Sequence, residues 1–85
     1  MKNKIKAKEY LIEWKIPEEY DPGNVLRKLP SPISRDIREI YNYSVRKDGF
    51  YLIDRQIDDA VAGQAMKIFL DEALSHSSTI TVRKL

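Results

Sequence analysis

Side chains that could do chemistry are few in this chain. His76 is the one histidine, cysteine is absent, and Asp54, Asp58 and Asp59 stand together just ahead of a helical pattern. A lone imidazole excludes a multi-histidine metal site. The lack of thiols excludes disulfides, thiolate metal centres and cysteine nucleophiles. The three aspartates offer the hard oxygens that magnesium takes, yet Asp58 is equally placed to cap a helix, and acids collect at helix starts. His76 falls at the carboxyl end of the same helical pattern, where an imidazolium complements the helix dipole. No Walker loop, dinucleotide glycine motif, nucleophile elbow or zinc pattern occurs. The expectation is a protein that is no enzyme and has no cofactor and no metal site.

Binding residues are easier to find. Lys15, Arg46, Tyr51, Ile53, Arg55 and Arg83 are scattered in sequence, but all fall in or beside runs with strand periodicity. Whether they meet depends on the elements that carry them.

The first strand is expected over Ala7 to Ile16, with Tyr10, Ile12, Trp14 and Ile16 on one face and Leu11, Glu13 and Lys15 on the other. Pro17 ends it. Asp21-Pro22 reads as a helix start, an N-cap acceptor followed by proline at the first helical position. Val25, Leu26 and Leu29 form its apolar stripe, and Pro30 and Pro32 bound it within about three turns. Residues 33–42 fit either period, and the aromatic and β-branched content between Ile37 and Val45 favours strand from Ile37 onward. Asp48-Gly49 predicts a two-residue type I′ hairpin turn, which sets Lys47 opposite Phe50 and Val45 opposite Leu52. Val61, Ala62, Ala65, Ile68, Phe69 and Ala73 then repeat at helical spacing from Asp58 to His76. Gly63 inside that helix suggests close approach of the first helix. Thr79 to Arg83 alternates as a last strand.

The order strand, helix, strand, strand, helix, strand predicts one α+β domain over residues 1–85. Its architecture is a ferredoxin-like βαββαβ two-layer sandwich, a four-stranded antiparallel sheet with two helices on one face. The first and third strands are then central, and the second and fourth are edges guarded by Arg38, Arg46, Arg83 and Lys84. If the helices cover Tyr10, Ile12, Trp14, Tyr43, Val45, Phe50, Leu52, Ile80 and Val82, the open face carries five cations, Lys15, Arg38, Arg46, Arg55 and Arg83, against Glu13 alone. Such a face suits a phosphate backbone with Tyr51 stacking on a base. It equally suits plain solvation of a strand face. Leu11, Ile40, Tyr51 and Ile53 on the same face suit a protein partner or a second copy of the chain.

Composition narrows the choice. The formal net charge of +2 is too small to imply nucleic acid by itself. Asp48-Gly49-Phe50-Tyr51-Leu52-Ile53 has aspartate where the RNA-recognition consensus has a basic residue, and Leu52 where it has an aromatic. The basic start, Met1 to Lys8, is not followed by an apolar stretch of signal-peptide type. No run approaches the ~20 apolar residues that span a bilayer. The reading is a small cytoplasmic, non-enzymatic interaction or regulatory module that binds a protein partner, itself included, through an open sheet face or edge, without a membrane. The alternative is single-stranded nucleic-acid or polyanion binding through the basic face.

Overall fold

Alternating side chains place Tyr10 and Ile12 on one side of the first strand and Glu9, Leu11 and Glu13 on the other, and the sheet is built on that division. A computed structural model describes residues 7–85; the amino-terminal part of the basic start lies outside the described residues. The elements run β1 (Lys8–Glu13), α1 (Gly23–Lys28), β2 (Tyr41–Arg46), β3 (Gly49–Asp54), α2 (Asp59–His76) and β4 (Thr81–Lys84). All pairings are antiparallel and the strand order is β2-β3-β1-β4, so β1 and β3 are central and β2 and β4 are edges.

Helix α2 matches its sequence pattern closely. Asp58 is the N-cap, accepting a hydrogen bond from the Val61 amide at 3.1 Å, and Asp59 lies in the first turn. Ala62, Ala65, Phe69 and Ala73 are its buried stripe, set against Ile12, Phe50 and Leu52 of the central strands. Phe69 and Phe50 are fully buried with ring centroids 4.7 Å apart. Val25 of α1 joins the same core, so both helices lie over one side of the sheet. Apolar burial of this kind is the main stabilising term.

Several expectations need correction. Strand β1 is shorter than Ala7–Ile16, although its chain continues alongside the hairpin tip: the Trp14 amide donates to Asp48 O at 3.2 Å and the Ile16 amide to Lys47 O at 3.4 Å. In α1, Pro22 is the N-cap rather than the first helical residue, and Asp21 instead accepts from the Gly23 amide at 2.9 Å. Its six residues make less than two turns. Strand β2 begins at Tyr41, not Ile37. Ile37 sits in a turn with φ of 62° and is 84% exposed, because the Ser34 hydroxyl accepts from the Arg38 amide and the Ser34 amide donates to Arg38 O, closing the chain back on itself. Strand β4 is Thr81–Lys84 rather than Thr79–Arg83. Tyr43 and Val82, expected under the helices, are 40% and 47% exposed because both lie on edge strands.

The hairpin register also differs. Arg46 opposes Gly49, Val45 opposes Phe50 and Tyr43 opposes Leu52. The loop residues are Lys47 and Asp48, neither with positive φ. Relative to the expected register each partner moves by two residues, so the division of side chains between the faces survives. Gly49 is required for another reason. Its φ is +147°, and a Cβ there would lie 2.0 Å from Ile12 O. Gly63, by contrast, has nothing within 4 Å of a Cβ position, so no helix approaches it.

Candidate functional site

The side of the sheet away from the helices presents alternate residues of all four strands. Register places Leu11 of β1 between Tyr51 of β3 and Arg83 of β4, Glu9 opposite Ile53, and Ser44 of β2 opposite Tyr51. Leu11 is only 6% exposed although it stands outside the main core, and Ile40, expected on this face, is instead 4% exposed and part of that core.

Of the residues singled out in the sequence, Arg46 and Tyr51 come together, with the guanidinium carbon 3.9 Å from the ring centroid. The Tyr51 hydroxyl donates to the Glu9 carboxylate. That bond holds the Tyr51 phenol above its ordinary range, since losing the proton would set two anions side by side. Arg55 Nε donates to Asn42 Oδ1 at 2.6 Å. Arg83 Nη1 donates to Glu13 Oε2 at 3.2 Å, joining β4 to β1. Ile53 is half-buried between Glu9 and Asn42. Lys15 does not join this group; it lies past the end of β1, beside the hairpin tip.

The expected excess of cations on this face is therefore corrected. Arg38 sits outside the strands, paired with Asp36 at 2.8 Å. The Asp36 carboxyl is held below its usual range, first by the Ser34 hydroxyl and then by Arg38. The face itself holds Arg46, Arg55 and Arg83 with two acids, Glu13 paired with Arg83 and Glu9 bonded by Tyr51. Glu9 is legible from the alternation through Leu11, yet the expected face counts Glu13 as its only acid.

A second constellation joins three distant segments. The Trp14 indole stacks on the His76 imidazole, with centroids 5.1 Å apart and planes 19° from parallel, and the Tyr20 ring meets both edge-on at 5.3 Å. The Tyr20 hydroxyl donates to Glu72 Oε2, which also lies 3.3 Å from His76 Nε2. Burial, and then the Glu72 carboxylate, push the Tyr20 phenol well above its ordinary range. His76 thus packs against aromatic rings rather than acting only at the helix end. The Trp14 indole N–H is buried without an acceptor among the described residues.

The aspartates before α2 are engaged locally. Asp54 Oδ1 accepts from the Gln56 amide at 2.8 Å, and Asp58 is spent on the cap. No helix among the described residues is long and apolar enough to cross a membrane. Compared with protein families, curated proteins and solved structures, the chain shows no significant match to any.

Proposed function

We propose that this chain is a small non-enzymatic interaction module that receives a protein partner on the open sheet face, within a ferredoxin-like arrangement and in the cytoplasm. The strand order and the two helices on one side support the architecture. The absence of cysteine suits a reducing compartment. The observation that carries the function is the way the face is made up: Arg83 bonds Glu13, Tyr51 bonds Glu9 and carries Arg46, and Arg55 bonds Asn42. Such a surface is of mixed sign, and its side chains already have partners, so less of their freedom is left to lose on binding. A polyanion would want cations of one sign and an aromatic ring free to stack, and here Arg46 covers Tyr51.

The test is an affinity capture with the wild-type chain and with a Tyr51→Ala, Arg83→Glu variant, alongside sedimentation velocity. The proposal expects a protein partner, or a second copy, held by the wild type and lost by a variant that keeps its circular dichroism. A strict monomer that captures nothing, or capture indifferent to the substitutions, overturns it. Tight, steeply salt-dependent binding of a labelled single-stranded oligonucleotide would transfer the face to nucleic acid.

A further inference from the structure

At the turn end of the sheet, a hollow of about 500 Å³ opens between the chain leaving β1 and the β2–β3 hairpin. Its apolar surface comes from Ile16, Pro17, Tyr20 and Val45, all but Pro17 also packed against the main core. Three cations, Lys15, Arg46 and Lys47, stand around it with one acid, Glu18. The ammonium groups of Lys15 and Lys47 make no ion pair or hydrogen bond among the described residues, in contrast to the engaged arginine of β4. The hollow is held in shape by backbone bonds from Trp14 to Asp48 and from Ile16 to Lys47, and by Gly49, which lets β1 approach the turn.

We infer that this hollow takes an acidic peptide segment, an apolar side chain seated on Ile16, Pro17, Tyr20 and Val45 while flanking carboxylates meet Lys15, Arg46 and Lys47. The inference rests on the proposal that the chain serves a protein partner, and it names a second contact and its chemistry. Apolar area alone would accept many partners; the unpaired ammonium groups of Lys15 and Lys47 at the rim select against basic ones and speed encounter with acidic ones. Arg46 links the two surfaces, since it lies on Tyr51 of the open face and also on the rim of the hollow.

The experiment uses the full chain, ¹⁵N-labelled, and capped short peptides carrying leucine, phenylalanine or tyrosine between pairs of glutamates. Expected are amide shifts confined to Lys15–Tyr20 and Val45–Lys47, and a change in the emission of Trp14, whose ring touches Tyr20. Glutamine analogues of the peptides should bind at least about tenfold more weakly, as should a Lys15→Glu, Lys47→Glu variant that keeps the wild-type fold. No binding at low salt, equal binding of the glutamine analogues, or preference for an oligonucleotide of matched charge overturns the inference. Shifts at Leu11, Tyr51 and Arg83 instead would overturn it while leaving the open-face proposal intact, so the two failures are told apart.

Discussion

Trp14 and His76 lie face to face, 62 positions apart in the chain, with centroids separated by 5.1 Å. They are the chain's one tryptophan and one histidine, so each reports on the other without interference. Glu72 sits 3.3 Å from His76 Nε2. The stack ties the chain leaving β1 to the end of α2, so His76→Ala should cost about 0.5–1.5 kcal/mol, the usual worth of an aromatic pair, and should change the Trp14 emission. Denaturant melts followed by Trp14 fluorescence check both. An unchanged emission would mean that the indole does not sense the ring beside it.

Alkaline pH should weaken the fold through Tyr20. Its phenol is held above the ordinary range by burial and by Glu72, so the folded chain keeps a proton that the unfolded chain has already released. Unfolding then releases that proton, and stability declines as pH rises above about 10, the ordinary phenol value. Urea midpoints measured across that window should fall, and Tyr20→Phe should flatten the decline. An equal decline in that variant would assign it to Tyr41 or Tyr51, whose phenols are also raised.

Phe69→Ala should cost about 3–5 kcal/mol, the usual range for deleting a buried phenyl ring. Phe69 is 0% exposed and faces both Phe50 at 4.7 Å and Tyr43 at 5.8 Å. Against a total stability on the order of 0.1 kcal/mol per residue, that loss takes a large part of the whole. Denaturant melts read it directly.

Two glycines should respond in opposite directions. Gly63 is exposed in the second turn of α2 with open space where a side chain would stand, so Gly63→Ala should stabilise by roughly 0.5–1 kcal/mol. Gly49→Ala would drive a methyl group to 2.0 Å from Ile12 O at a φ that side chains rarely adopt. It should destabilise by more than Gly63→Ala stabilises, and amide shifts along Ile12–Ile16 should report a displaced β1. Thermal melts of both variants decide the pair.

Much of the framework was legible because one period governed each segment. The long run from Val61 to Ala73 fits only a helix, and Asp58 marks its start without a rival. The division of Tyr41, Tyr43, Val45, Phe50 and Leu52 from Ser44 and Tyr51 was legible too, since an even slip in register leaves faces unchanged. The register itself was not: the Asp48-Gly49 pair implied a turn type, whereas Gly49 answers to a strand nearly forty residues earlier. Residues 33–40 misled because Ile37 looks like a buried apolar residue and is instead a turn residue set by Ser34. On the candidate surfaces, strand alternation brought Arg46 and Tyr51 together correctly. The hollow and the Trp14–His76 stack draw on segments that no local period connects.

The pairing of β4 with β1 carries a consequence for how the chain is made. Leu11 finds its neighbour Arg83 only after α2 has been synthesised, because those partners are 72 positions apart. A sheet of the other three strands would leave one side of β1 bare, with the apolar side chains of Tyr10 and Ile12 beside unpaired amides. Bare edges of that kind recruit other nascent chains. Arg83 and Lys84 arrive on the segment that closes it, so the last strand both completes the sheet and leaves a charged margin in place of a sticky one.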